Sequence, residues 1–222
     1  TTLELNQLMR SDHKYDHMID DATARISRDN PDKDIIFDSR LAWNFVERSF
    51  KVFVSVSLDV AAERVMNDHR GEEEQYRSFE EARKMLAERA ATERVRYKEI
   101  YNVNYMDYAN YNLIIDSTYC TPDKIAEIIL KEAKEHEQSG YPDTTKMLVS
   151  PKRLLKEEDI KSDDKQDLSG LVEEYKKWDK VLEGILIKVT KKDDIFTIVE
   201  GMKEAKAAYL AEVPYVSILI IN

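Results

Sequence analysis

Three brief apolar runs constrain this chain most strongly: Ile35-Ile36-Phe37, Val52-Phe53-Val54-Ser55-Val56 and Leu113-Ile114-Ile115. Each is short and nearly unalternated, as in a strand buried on both faces, and helical stretches separate them. That pattern predicts an α/β fold, a parallel sheet wrapped by helices. Ahead of it, residues 1–29 read as helix. Thr1 and Glu4 are spaced as a capping box, Asp12, Asp16 and Asp20 share one face, and Asn30-Pro31-Asp32 ends the pattern.

Between the second and third runs lies "NDHRGEEEQYRSFEEARKMLAERAATERVRY", which gathers Arg70, Arg77, Arg83, Arg89, Arg94 and Arg96 in a chain of formal net charge -10. From Ser78, a good N-cap, the residues Phe79, Ala82, Leu86, Ala90, Tyr97 and Ile100 form one helical stripe. At about 100° per residue, Arg89 and Arg96 fall on one shoulder of that stripe and Arg83 and Arg94 on the other. Positive charge gathered this way is either paired inside the fold, through Glu/Arg partners four residues apart, or held for an anion.

A further helix starts near Pro122, and residues 137–146, within "HEQSGYPDTTK", form the clearest linker. Residues 147–222 change character: a helical "DLSGLVEEYKKW", two short apolar strands around a Lys191-Lys192-Asp193-Asp194 turn, a helix from Gly201 and a final Val216 to Ile221. They read as a small α+β domain with a hairpin. A length of 222 residues accommodates both domains. Cys120 is the only cysteine, so no internal disulfide can form. Nothing resembles a leader or an apolar span, and a reducing cytoplasmic setting is expected. Acidity, at pI ≈ 5.1, argues against broad nucleic-acid binding, which needs a basic footprint.

Open α/β sheets bind ligands outside the carboxyl ends of their strands. There the sequence places Asp38-Ser39-Arg40, then Ser57 and Asp59, then Asp116-Ser117-Thr118. Arg40 is the most pointed of these, because a guanidinium fork suits phosphate. His13 and His17, four apart, could share a metal but read better as solvent-facing beside Asp12 and Asp16. The tyrosines of "YNVNYMDYANYN" could stack on bases or simply pack on their own domain. With the five glycines Gly71, Gly140, Gly170, Gly184 and Gly201, neither G-x-x-x-x-G-K-[ST] nor G-x-G-x-x-G can be written.

Taken in order, "DIIFDSRLAWNFV", "KVFVSVSLDVAAERVMNDHR", "SFEEARKMLAERAATERVRYKEIYNVNYMDYANYNLIIDST" and "TPDKIAEIIL" resemble the cytidylate kinase family, nucleoside monophosphate kinases of the P-loop fold. The resemblance covers residues 1–136 and implies that the arginine-rich segment is a lid over transferring phosphates. It implies catalytic roles for Arg89, Arg96 and Arg70, and acceptor binding by Asp38, Arg40 and Arg64. ATP and Mg are the implied cofactors, and CMP or dCMP the implied acceptor. Asp38, Ser39, Ala90 and Asn102 depart from the family, standing where Glu, Gly, an acidic residue and Gly are usual. The family's opening strand, phosphate loop and helix precede Thr1 in this register, so that loop is expected upstream, on another polypeptide, or missing from a domain that binds without catalysing.

Residues 147–222 are similar to the ParB/sulfiredoxin-like domain through "LVSPKRLL", "ILIKVTKKDDIFTIVEGMKEAKAAYL" and "VPYVSILII". That similarity implies phosphate binding at Gly201, Lys203 and Lys206, with a reduced basic run, and a docking role toward a protein partner. The alternatives to a kinase are a non-catalytic nucleotide sensor and a scaffold whose arginines pair with Glu72, Glu73, Glu74 and Glu93.

Overall fold

The computed structural model describes residues 13–68, 76–161, 167–177 and 186–221. In chain order the elements are α1 (Lys14–Asp29), α2 (Ala42–Phe45), β1 (Val52–Ser55), α3 (Leu58–Asn67), α4 (Phe79–Tyr101), β2 (Leu113–Asp116) and α5 (Pro122–Gln138). There follow β3 (Lys146–Val149), α6 (Pro151–Leu154), α7 (Glu157–Lys161), α8 (Ser169–Lys176), β4 (Ile187–Lys192), β5 (Ile195–Glu200), α9 (Met202–Leu210) and β6 (Val216–Ile220). They divide into two compact units, residues 1–51 with 61–111 and residues 52–60 with 112–222.

The second unit carries one six-stranded sheet in the order β1-β2-β3-β6-β4-β5. β2 is buried along its whole length because parallel neighbours flank it, Val52 opposite Leu113 on one side and Lys146 opposite Leu113 on the other. That explains its unbroken Leu-Ile-Ile. The sheet is mixed rather than wholly parallel. β3 pairs antiparallel with β6, and β4 with β5 through the turn at Asp193, whose φ of 53° lets the chain reverse in two residues. Leu113, Ile114, Ile115, Leu148, Val149, Ile187 and Val189 are sealed from water, each burial stabilising by about 1.5–3 kcal/mol. Ala205, Ala207 and Ala208 are sealed too, on the α9 faces that meet α8, α6 and β4. The 137–146 stretch holds the last two residues of α5 and the first residue of β3.

One expected strand is absent. Ile35-Ile36-Phe37 lies outside any strand, and Ile36 is 93% exposed. Among the described residues no strand lies beside it, and three apolar residues without a hydrogen-bonded neighbour gain nothing from strand geometry.

In the first unit α4 is the long element, and its ends show why. Ser78 Oγ accepts from the Glu81 N–H (3.1 Å), while Glu81 Oε2 accepts from the Arg77 N–H (2.7 Å). At the other end Asn102 turns left-handed, φ 57°, and its N–H donates to Lys98 O (3.0 Å). Glycine suits that position, and asparagine is the side chain that tolerates it best. The predicted stripe holds only in part: Ala82 is buried, Leu86, Tyr97 and Ile100 are half-buried, and Ala90 is exposed. α1 covers Lys14–Asp29 of the expected opening helix, and the Thr1/Glu4 box and Asp12 lie outside the described residues. Tyr101 joins helices through edge-on contacts with His17 and Phe45, each 5.2 Å between ring centres.

Candidate functional site

Three arginines of the first unit, Arg40, Arg89 and Arg96, engage two carboxylates. Glu93, one turn into the second half of α4, takes Arg40 Nε on Oε2 (2.7 Å) and Arg89 Nε on Oε1 (3.2 Å). Arg89 reaches it by helical spacing alone, whereas Arg40 arrives from the loop before α2. Three residues on, Arg96 pairs through Nη2 with Asp16 Oδ1 of α1. Tyr97 lies under Arg96, 5.7 Å from guanidinium carbon to ring centre, and edge-on to Tyr105 (5.6 Å).

Burial pushes the Tyr97 phenol above its ordinary pKa, the Glu93 charge adds to that, and Arg40 and Arg96 oppose it. Burial and then Glu93 raise Tyr105 in the same way. These couplings place Arg40, Glu93, Arg96 and both tyrosines in one electrostatic neighbourhood. Beside it, Asp20 is raised by burial, while the Tyr101 hydroxyl donates to Asp20 Oδ2 and Tyr101 is itself raised, first by burial and then by that carboxylate.

The sequence-predicted residues therefore separate. Arg40, Arg89 and Arg96 come together, although Arg89 and Arg96 meet different carboxylates. Asp38 is exposed two residues from Arg40, and Arg64 is exposed on α3 with an interaction of its own. Arg70 lies outside the described residues. Sequence reasoning reads His13 and His17 as solvent-facing beside Asp16, and both are exposed, whereas Asp16 itself is buried at 4% exposure. No local signal pairs Asp16 with an arginine eighty residues away.

A second polar cluster lies within the other unit, at the carboxyl ends of β1 and β2. Asp116, buried, accepts from Ser55 Oγ (3.2 Å) and from the Thr118 N–H (3.1 Å), and the Ser57 N–H donates to Thr118 Oγ1 (2.9 Å). Arg153 of α6, missed in the sequence, donates through Nη2 to Asp194 Oδ1 (2.8 Å) and lies 3.7 Å from Asp116 Oδ2. Asp194 in turn accepts from the Leu58 N–H (3.0 Å). These groups bond mainly to one another, which reads as structural, but Arg153 Nε is buried without a hydrogen-bond partner. In the tyrosine-rich loop, Tyr105 and Tyr111 are buried and the Tyr111 hydroxyl donates to Tyr105 O (2.7 Å), so packing explains those aromatics. Around α9, Gly201 has φ 97°, and a Cβ there would meet Ile187 Cα at 3.2 Å; glycine is required at this position by the backbone itself.

The model of the cytidylate kinase-like family matches residues 2–119. The chain belongs to that family. Among curated relatives, the cytidylate kinase of Methanococcoides burtonii is 30% identical over 131 residues, 59% of this chain and 70% of that protein. The cytidylate kinase of Natronomonas pharaonis is also 30% identical over 131 residues, 58% of this chain and 64% of that protein. An S-adenosylmethionine-dependent nucleotide dehydratase of Lacinutrix mariniflava is 26% identical over 123 residues, 55% of this chain but 25% of that protein. No solved structure matches the chain. Among the described residues no helix is long and apolar enough to cross a membrane.

Proposed function

We propose that the chain binds a nucleoside monophosphate, CMP or dCMP, as the acceptor part of an ATP-dependent kinase whose phosphate loop lies upstream. The observation that carries this is the convergence of Arg40 and Arg89 on Glu93, inside the segment matched by the kinase family. Two guanidinium groups held around one anion by different elements form a site that an acceptor phosphate could enter by replacing the carboxylate. Arg96, Arg64 and Arg70 complete the cationic set by resemblance, and Asp38 stands where an acceptor-contacting residue is expected.

No G-x-x-x-x-G-K-[ST] phosphate loop can be written in this sequence, so the cradle for ATP and its magnesium is not among these residues. Phosphoryl transfer would therefore need residues from outside this chain, while these arginines bind the acceptor and neutralise its charge. That observation also favours a second reading, a nucleotide sensor that binds without turnover. In either reading residues 147–222 form a ParB/sulfiredoxin-like module in which Gly201, Lys203 and Lys206 take an anion and a protein partner docks.

Calorimetric titration with CMP tests the acceptor site. Arg40→Met and Arg89→Met should each weaken CMP at least tenfold, and affinity unchanged in both would sink the proposal. Phosphorylation of CMP by the natural protein with ATP and magnesium separates the kinase from the sensor.

A further inference from the structure

The turn between β4 and β5 reaches back to the carboxyl ends of β1 and β2, where Asp194 uses both of its carboxylate oxygens. Oδ1 accepts from Arg153 Nη2 (2.8 Å), and Oδ2 accepts from the N–H of Leu58, the first residue of α3 (3.0 Å). The same Nη2 donates to the Asp194 carbonyl oxygen (3.0 Å). All of these residues belong to the second unit. A ten-residue helix presents its leading N–H groups and the positive end of its dipole at this end, so the carboxylate sits where a guanidinium and a helix start meet.

The seat offers more donors than its occupant takes. Nε and Nη2 form one edge of a guanidinium with their N–H bonds parallel, and an oxyanion lying along that edge accepts from both. Asp194 takes only Nη2. Arg153 Nε is buried with no hydrogen-bond partner, 3.7 Å from Asp116 Oδ2, which is beyond bonding distance. Asp116 is held where it is, because its oxygens accept from Ser55 Oγ and the Thr118 N–H. The orphaned donor is what a two-oxygen ligand leaves over, and a tetrahedral oxyanion has a further oxygen for it. Exposure sets which partner gives way: Arg153 is 13% exposed and lies against the Phe196 ring, whereas Asp194 is 43% exposed.

We propose that Asp194 is a built-in stopper in a phosphate-class site. A tetrahedral oxyanion, inorganic phosphate or the phosphate of a nucleotide, displaces the Asp194 carboxylate and is held by Arg153 Nε and Nη2 and by the Leu58 N–H. The exchange keeps an anion opposite Arg153 throughout and releases Asp194 into water. It also frees the β4–β5 turn from the start of α3, so the ligand unlatches the hairpin. Arg153 and Asp194 lie beyond residues 2–119, so membership of the kinase family does not assign this site, and it draws on neither Arg40 nor Arg89.

The test is NMR of the full chain labelled with nitrogen-15, following the Leu58 amide during titration with inorganic phosphate, CMP and acetate. Phosphate or CMP should shift that amide saturably, with acetate at least tenfold weaker. Asp194→Asn keeps the shape of the side chain and removes the competing charge, and should tighten phosphate at least tenfold. Arg153→Lys keeps a positive charge opposite Asp116 but loses the two-donor edge, and should weaken phosphate at least tenfold. Arg40→Met should leave the Leu58 response unchanged, which separates this site from the acceptor site. A Leu58 amide indifferent to phosphate and CMP in both the wild-type chain and Asp194→Asn would overturn the proposal. So would an Asp194→Asn variant that binds phosphate no more tightly, acetate binding as tightly as phosphate, or a Leu58 response lost in Arg40→Met.

Discussion

Removing Asp16 is the sharpest perturbation of the first unit. Asp16 is 4% and Arg96 19% exposed, their single bond joins Oδ1 to Nη2, and Asp16 Oδ2 and Arg96 Nε are buried with no hydrogen-bond partner. Asp16→Ala leaves a guanidinium covered over most of its surface with nothing opposite it. Breaking a buried pair from one side costs about 3–5 kcal/mol, and the exposed fifth of Arg96 moves the expectation to about 2–3 kcal/mol. Removing both partners, as in Asp16→Ala with Arg96→Met, should destabilise by less than the sum of the single variants, with a coupling of about 1–3 kcal/mol. Trp43 reports on this unit, its ring 5.7 Å from Tyr111, so urea unfolding followed by its fluorescence in a Trp178→Phe background reads the change locally. At a urea dependence of about 2 kcal/mol per molar, the midpoint should fall by roughly 1–1.5 M. A loss below about 0.5 kcal/mol, or strict additivity, would show that the pair contributes nothing and that Asp16 is simply tolerated in place.

Other changes test other links. Asp20 has its carboxyl pKa raised by burial, so the folded state holds the proton more tightly than the unfolded one and its contribution declines as pH rises through that window. Asp20→Asn should therefore raise the melting temperature at neutral pH, with the gain shrinking as pH falls toward the ordinary carboxylate range; a gain independent of pH would refute the assignment. Gly201→Ala forces a left-handed alanine and a close approach to Ile187, and should cost about 2–4 kcal/mol in chemical denaturation. Ser78→Ala removes the α4 cap and should lower stability by about 1 kcal/mol. Glu93→Gln should change stability by less than about 1 kcal/mol, because both of its arginines are about half exposed, yet tighten CMP binding in calorimetry by removing the carboxylate charge that competes with the phosphate.

What the sequence revealed follows from the range of the forces involved. β2 was legible because burial on both faces leaves an unbroken apolar run, and α4 because Ser78 and the helical spacing are local signals. Ile35-Ile36-Phe37 carried the same apolar signal and misled, since a strand is defined by a neighbour and the run does not encode one. The face of α4 was misjudged at Ala90 for a similar reason: a stripe gives the buried direction only if something packs along all of it. Arg89 and Glu93 were visible as a spacing of four. The Arg40–Glu93 and Arg96–Asp16 pairs, and the Arg153–Asp194 bond that links a short helix to a hairpin turn, join distant parts of the chain by charge and leave no periodic trace.

Whether the arginines are paired inside the fold or held for an anion is not a single question, because their exposure differs. Arg40 and Arg89 are 46% and 52% exposed, although their common partner Glu93 is only 17% exposed, and water and salt screen the arginine side of the contacts. Exchanging Glu93 for a phosphate keeps both guanidinium groups opposite an anion throughout, so the exchange costs little beyond releasing a carboxylate into water. Arg96 is different: a ligand drawing it away would strand Asp16 charged in a buried place, at the penalty computed above for breaking the pair. Any phosphate bound here should therefore be taken first by Arg40 and Arg89, with Arg96 fixing α1 against α4 and contributing its field through Tyr97. Raised salt separates the two roles, because it should weaken an anion held by Arg40 and Arg89 while leaving the unfolding free energy due to the Asp16–Arg96 pair nearly unchanged.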